Sequence, residues 1–121
     1  LARNTSSMRG MINKVKDYCT FGEVDAETIE EILTKRGKLP GNKDLTEAYI
    51  KKISKSDIKT FSKDMSKGKA NLKDLTGVKT FFKLHPPLGG FERMGIKKPY
   101  ARGGSLGYRG KDMNVLVKKM I

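Results

Sequence analysis

The residues best suited to chemistry are the cations and aromatic rings that alternate with glycine between Pro86 and Gly110. This segment has seven glycines among its 25 residues. Lysine and arginine neutralise phosphates, glycine lets a backbone approach a groove closely, and tyrosine rings stack on unpaired bases. The segment cannot bury enough apolar surface to offset its ordering entropy, which costs about 1 to 2 kcal/mol per residue. The pattern predicts an extended arm that contacts RNA by shape, with a flexible basic tail as the alternative.

Residue types that support catalysis are scarce. The chain has one histidine, His85, and one cysteine, Cys19, so we expect neither a zinc cluster nor a Cys/His or Ser/His catalytic pair. A phosphate-binding GxxxxGK[ST] loop is absent from the sequence, and Gly107–Gly110 (GYRG) matches only loosely the GxxG loop of KH domains. The sequence therefore predicts a protein that is not an enzyme, with no catalytic residue, no metal site and no cofactor.

Charge is distributed unevenly along the 121 residues, whose formal net charge is +13 at pH 7. Residues 1–36 have six basic and six acidic side chains, residues 37–85 have twelve against five, and residues 86–121 have eight against two. This surplus attracts polyanions, of which nucleic acid is the obvious one. The single cysteine fits a reducing compartment, and no apolar run approaches the length of a membrane span. We therefore expect a cytoplasmic protein.

Two helices and a strand are predicted near the start of the chain. One of residues 5–7 can cap a helix whose apolar side chains recur at helical spacing from Met8 to Val15, which predicts that this helix faces the core. Residues 18–24 (YCTFGEV) are rich enough in β-branched and aromatic types for a strand. Asp25 is the predicted N-cap of the next helix, and Gly37 its C′ residue.

Two further helices are expected between residues 44 and 68. The first begins at Asp44 or Thr46, and the second begins at Ser56 or Asp57 and closes at Gly68. In the first of them the predicted inward residues are Leu45, Ala48, Tyr49 and Ile53, and the predicted outward residues are Lys51, Lys52 and Lys55. These lysines form either a basic binding surface or a merely solvated one.

A helical turn, a strand and a helix are predicted around the glycine-rich segment. Residues 72–75 (LKDL) fit one helical turn. Residues 78–85 (VKTFFKLH) alternate in polarity, which predicts a strand that ends at Pro86 and Pro87. Residues 112–121 fit a helix with an apolar side formed by Met113, Leu116, Val117 and Met120.

Two blocks of sequence carry a family resemblance. One is RGMINKV at residues 9–15 followed by residues 18–24, and the other comprises HPP at 85–87, GG at 89–90, GGSLG at 103–107 and MNVLVKKMI at 113–121. Together they resemble the archaeal form of the L-thirty family of large-subunit ribosomal proteins, called L-seven in eukaryotes. The first block is similar to the last helix and strand of its ferredoxin-like βαβαβ core, and the second to its carboxyl-terminal extension. LTKRG at residues 33–37 also fits the family.

The resemblance implies an α+β fold in three parts. These are the end of a partial ferredoxin-like core at residues 1–24, a helical region with a closing strand at 25–85, and an RNA-binding extension with a terminal helix at 86–121. Before Arg9 a family member is expected to supply a strand, a helix and a second strand. The core is therefore expected to be incomplete, and the isolated chain to need those elements or RNA for cooperative folding.

The resemblance also implies a structural constituent of the large ribosomal subunit in the cytoplasm. Its expected partners are large-subunit ribosomal RNA and neighbouring ribosomal proteins. The resemblance also implies a position near 5S RNA. The predicted RNA-binding residues are Arg9, Asn13, Lys14, Lys83, His85, Arg93, Lys97, Lys98, Tyr100, Arg102, Ser105, Tyr108, Arg109 and Lys111. Of these, Arg102 and Arg109 are expected to have no role in the core. The alternatives are a general nucleic-acid-binding protein, such as an RNA chaperone or nucleoid protein, and a membrane-surface protein that uses the last helix.

Overall fold

The computed structural model describes residues 1–54, 56–75 and 77–121. Within these ranges the chain has five α-helices and one two-stranded parallel sheet, which is the mixed α+β class expected. The elements in chain order are α1 (Ser6–Val15), β1 (Thr20–Phe21), α2 (Ala26–Arg36), α3 (Glu47–Ser54), α4 (Ile58–Ser66), β2 (Gly107–Tyr108) and α5 (Met113–Met120). A ferredoxin-like arrangement of the core stays a prediction.

The chain divides into two compact units. Unit 1 comprises Leu1, Asp25–His85 and Ile121, and unit 2 comprises Ala2–Val24 and Pro86–Met120. Residues near the start of the chain therefore fold together with the glycine-rich segment, a pairing that no local sequence pattern contains.

Unit 1 has its core between helices. α2 packs against α4, and α3 also contacts α4. The predicted apolar stripe of α2 is confirmed, since Ile29, Ile32 and Leu33 are all buried. The other buried apolar residues of this unit are Leu45, Ile50, Ile58, Phe61, Leu72, Leu75 and Val78. The helical turn expected near residue 72 is present as a 3₁₀-helix at Leu72–Asp74.

The role of Gly37 differs from the prediction. It ends α2, but its φ is −63°, so it does not adopt the left-handed conformation of a C′ glycine. A Cβ at this position would lie 2.4 Å from the carbonyl oxygen of Leu33 and 2.8 Å from Cδ2 of Leu45. The position therefore requires glycine because α2 and the segment after it pack closely.

The predicted inward face of α3 is partly wrong. Ile50 is buried at 1% exposure, whereas Ala48 is exposed. The helix begins only at Glu47, so Leu45 belongs to the segment before it. Leu45 is buried, but it is not part of the helix and does not define which of its faces points inward. Lys51 and Lys52 are exposed as predicted, and Lys55 lies outside the described residues.

The prediction of a strand at residues 78–85 is wrong, because this segment does not form one. The period-two pattern appears in burial only over residues 81–85, where Phe82 and Leu84 are half-buried while Phe81, Lys83 and His85 are exposed; Thr80, predicted on the buried side, is exposed. No strand of the described residues pairs with this segment, so it has no ladder. Alternation fixes which side chains share a face, but a strand also needs a partner for its backbone groups. Of the strand predicted at residues 18–24, only Thr20–Phe21 (β1) forms.

α1 forms as predicted but does not face a core. Thr5 caps it, with its Oγ1 accepting a hydrogen bond from the backbone N–H of Met8 at 3.3 Å. Met11 and Val15 remain 60% and 43% exposed, and no residue of the helix is buried. The predicted core-facing role is therefore wrong among the residues described, because periodicity defines an apolar face without supplying an element that covers it.

Candidate nucleic-acid interface

The glycine-rich segment is folded on itself and is not the extended arm that was predicted. The backbone N–H of Leu106 donates to the carbonyl of Lys98 at 3.2 Å, and that of Tyr100 donates to the carbonyl of Leu106 at 2.7 Å. The N–H of Ser105 donates to the carbonyl of Gly95 at 3.2 Å. These hydrogen bonds stabilise the segment although its composition provides little apolar burial. They pair backbone groups that in an extended arm would bond to water or RNA.

Gly104 allows the closest of these approaches. It is buried, and a Cβ on it would lie 2.0 Å from the carbonyl oxygen of Lys98. The preceding residue, Gly103, has a φ of 84° and ends the 3₁₀-helix Tyr100–Arg102 in the left-handed conformation. The two adjacent glycines therefore reverse the direction of the chain and let the backbone after them lie against the backbone of Lys98.

The parallel pair of β1 and β2 joins the two parts of unit 2. Thr20 lies opposite Gly107 and Phe21 opposite Tyr108. The backbone N–H of Arg109 donates to the carbonyl of Phe21 at 3.0 Å, so the pairing continues past the strands. The rings of Phe21 and Tyr108 lie 5.7 Å apart between centroids. This pairing connects the segment at residues 2–24, which contains α1, to the glycine-rich segment in one unit.

Arg109 is buried in an ion pair. It is only 6% exposed, and its Nη1 lies 2.6 Å from Oε1 of Glu92. Its Nη2 donates to the carbonyl of Ser105 at 3.1 Å, and the hydroxyl of Ser105 donates to Oε2 of Glu92 at 2.6 Å. The expectation that Arg109 has no core role is wrong, since its guanidinium holds the fold of this segment. Ser105 is also buried, at 3% exposure, so its hydroxyl faces the same pair rather than the surface.

The same cluster fixes Tyr100. Its hydroxyl donates to Oδ2 of Asp112 at 2.5 Å, and the guanidinium carbon of Arg109 lies 4.7 Å from its ring centroid. The hydrogen bond from Arg109 lowers the pKa of Glu92 to about 2, and the hydrogen bond to Asp112 raises the pKa of Tyr100. Sequence reasoning missed Glu92 and Asp112. The available signal was that they are the two acidic residues after position 85 in a basic segment.

The other predicted residues lie at the surface. Tyr100 is half-buried, and the exposed ones are Arg9, Asn13, Lys14, Lys83, His85, Arg93, Lys97, Lys98, Arg102, Tyr108 and Lys111. On α1, Nε of Arg9 donates to Oδ1 of Asn4 at 2.6 Å, and Asn13 follows one helical turn later. The hydroxyl of Tyr108 donates to Oε1 of Glu23 at 3.3 Å, and the charge of Glu23 raises the pKa of Tyr108.

Between residues 93 and 111, five exposed cations have no acidic partner among the residues that the structure describes: Arg93, Lys97, Lys98, Arg102 and Lys111. Their charges are therefore available to an external anion, whereas the charge of Arg109 is neutralised within the fold. Lys83 and His85 belong to unit 1, so the predicted residues are not all brought into one unit.

The described part of the chain offers neither a metal site nor a membrane span. No group of three or more histidine, cysteine or acidic side chains there could hold a metal ion. No helix there is long and apolar enough to cross a membrane.

Curated relatives match this sequence closely, although no family model matches it. The large ribosomal subunit protein uL30 of Methanopyrus kandleri is 47% identical over 116 residues, covering 95% of this chain and 78% of the relative. The uL30 protein of Nanoarchaeum equitans is 45% identical over 117 residues, covering 97% and 75%. That of Staphylothermus marinus is 44% identical over 123 residues, covering 98% and 75%.

Proposed function

This chain belongs to the uL30 family of large-subunit ribosomal proteins, and we propose that it binds large-subunit ribosomal RNA through the exposed cations of unit 2. Family membership gives it a structural rather than an enzymatic role in the large subunit of the cytoplasmic ribosome.

One observation carries the proposal, namely the contrast between Arg109 and the cations around it. The charge of Arg109 is paired with that of Glu92, and this ion pair stabilises the fold of the segment. The unpaired cations Arg93, Lys97, Lys98, Arg102 and Lys111 are thereby presented on a backbone that is already ordered. An ordered cationic surface loses less conformational entropy on binding than a flexible arm. The same charge contacts therefore give a higher affinity.

Phosphate contacts are the expected mode of binding. The exposed residues are mainly lysine and arginine, and the types that read base edges in a groove are sparse among them. On α1, Arg9 and Lys14 add positive charge to the same unit. Such contacts position a protein on folded RNA without reading its sequence. Arg109 and Ser105 are left out of the proposed contact set because both are buried.

The proposed partners are large-subunit ribosomal RNA and neighbouring ribosomal proteins, with 5S RNA nearby as the resemblance implies. The shared name of the relatives favours this function over a general nucleic-acid-binding protein. A general binder would associate with many RNAs, whereas a ribosomal protein should sediment with one particle in stoichiometric amount.

Competitive incorporation into large subunits tests the contact set. A double variant, Lys97→Ala with Arg102→Ala, should lose about 1 to 3 kcal/mol per charge-assisted contact and be depleted from purified particles relative to co-expressed parent. Mass spectrometry of the two chains in the particle gives the ratio directly.

A matched control removes the same charge elsewhere. Lys59→Ala with Lys63→Ala changes two exposed lysines of α4 in unit 1. It should enter particles nearly as well as the parent if contacts are local to unit 2. Equal depletion of both double variants would mean that only total charge matters, and no depletion of the Lys97 and Arg102 variant would refute the proposed contacts.

A further inference from the structure

A cavity of about 330 Å³ lies within unit 2, at the lower end of the range of about 300 to 1,000 Å³ typical of small-ligand sites. It is lined by the Gly89–Gly90 turn, by Phe91 and Tyr100, and by residues at and after Asp112 that include Leu116 and Lys119. Aromatic, aliphatic, acidic and basic groups therefore meet in one small space. None of them is needed to explain phosphate binding.

Aromatic rings line this cavity from two separate segments. Phe91 is 47% exposed although its side chain is wholly apolar, so the fold leaves part of its ring uncovered. Tyr100 is held by the guanidinium of Arg109 and by Asp112. Its ring is thus oriented before any ligand arrives, which reduces the entropy lost on binding. A flat, unsaturated ligand fits such a lining best, because aromatic side chains stack on bases.

The polar groups of the cavity select the edge of that ligand. Oδ2 of Asp112 accepts the hydroxyl of Tyr100, and Oδ1 has no partner among the described residues. An ionised carboxylate only accepts hydrogen bonds, and each oxygen has two lone pairs. A ligand edge that meets Asp112 must therefore donate hydrogen bonds. Among the four RNA bases, guanine presents two adjacent donors, N1–H and N2–H₂, on its Watson–Crick edge, and this edge is free only in unpaired nucleotides.

We propose that this cavity binds one unpaired guanine of ribosomal RNA. The base lies against Phe91 and Tyr100, its N1–H and N2–H₂ groups donate to Asp112, and the ammonium of Lys119 neutralises its phosphate. This inference rests on the proposed function and specifies the RNA element, which is an unstacked nucleotide of a loop or bulge rather than a continuous duplex. The surrounding cations bind without reading sequence, whereas this cavity reads one base.

Ultraviolet crosslinking of purified large subunits that contain this chain tests the inference. After digestion, mass spectrometry should find a guanosine nucleotide attached to Phe91 or Tyr100. Adducts on these residues that carry another base would overturn the inference. Crosslinks confined to other residues of unit 2 would overturn it too, while leaving the proposed function intact. An absence of RNA crosslinks throughout unit 2 would contradict both.

Two further variants separate base recognition from simple stability. Phe91→Ala should reduce competitive incorporation by about tenfold, as expected for the loss of one base–aromatic stack. Its matched control is Ile96→Ala, since Ile96 is 57% exposed in the same segment and does not line the cavity. Parent-like incorporation of Phe91→Ala would overturn the inference, as would equal losses for the two variants.

Asp112→Asn tests the polar contact. The asparagine oxygen can still accept the hydroxyl of Tyr100, but the amide places a donor where guanine also donates. Particles with this variant should lose the guanosine adduct. Circular dichroism of the variant chain that matches the parent would show that the fold is kept. Retention of the guanosine adduct would overturn the role of Asp112 and with it the choice of guanine.

Discussion

Arg109 and Arg102 show how far apart two arginines of one basic segment can be in role. Both lie among glycines, and neither has a neighbour in sequence that marks it as structural. Arg109 is buried because Glu92 and the carbonyl of Ser105 supply partners for its guanidinium, whereas Arg102 is exposed. A buried charge is tolerated only when it is paired and hydrogen-bonded. The acid that meets a cation therefore decides its role, and that acid is 17 residues away in the chain.

The stability of the chain should depend on pH through Glu92. Its pKa is about 2 when folded, against an ordinary value of 4.5, so the folded state binds fewer protons between these values. The contribution is therefore fully present above the ordinary pKa and is lost as the pH falls from 4.5 towards 2. We expect a loss of about 1 to 2 kcal/mol, because solvent screens this partly exposed carboxylate. Amide hydrogen exchange of residues 92–109 at several pH values measures it, because exchange reports the local opening of this segment.

The variant Glu92→Gln identifies the group responsible. It should be less stable than the parent at neutral pH and should show a weaker pH dependence below 4.5, the ordinary pKa. Glu30→Gln, which removes a carboxylate of α2 in unit 1, is the matched control for the loss of one negative charge. An unchanged dependence in Glu92→Gln would assign the effect to other carboxylates.

At the scale of elements, α1 and α2 are both amphipathic but differ in what covers their apolar faces. α2 buries Ile29, Ile32 and Leu33, while α1 buries no residue. Helical periodicity is equally clear in both, because it depends only on local sequence. Burial depends on whether another element packs on the face, and α2 has α4 as its neighbour.

This difference predicts unequal costs of mutation. Met11→Ser on α1 should change the free energy of unfolding by less than about 0.5 kcal/mol, because a substitution at an exposed site removes little packing. Leu33→Ala on α2 should cost about 2 to 5 kcal/mol, since Leu33 is 0% exposed. Amide hydrogen exchange in α1 and α2 of the two variants gives the two values, because it reports local opening without a cooperative transition of the isolated chain. A large cost at Met11 would show that α1 is covered in solution.

At the scale of the whole molecule, net charge determines how RNA binding responds to salt. The surplus of +13 lies in residues 37–121, and the first 36 residues are neutral. If six to eight phosphates are neutralised, the logarithm of the association constant should fall against the logarithm of salt concentration with a slope of about −4 to −7. Filter binding of the chain to large-subunit RNA at several salt concentrations measures the slope. A slope near zero would contradict phosphate-dominated binding.

Much of this protein could be read from its sequence. The bounds of α1, α2, α4 and α5 follow closely from caps and apolar spacing, such as Thr5 before α1 and Asp25 before α2. The charge surplus and the family blocks pointed to a ribosomal protein, and relatives at 42–47% identity confirm the family. These features are local or compositional, so a single chain contains them without reference to its fold.

The tertiary structure decided which groups are exposed, paired or buried. β1 pairs with β2, and the hydroxyl of Thr20 donates to the carbonyl of Ser105, 85 residues away. These contacts turn a predicted arm into an ordered surface, and Glu92 with the carbonyl of Ser105 withdraws Arg109 from solvent. The alternating segment at 78–85 has no strand partner among the described residues. The physical reason is that backbone preference is set by neighbours in sequence, whereas hydrogen-bond partners and burial are set by residues that become neighbours only when the chain folds.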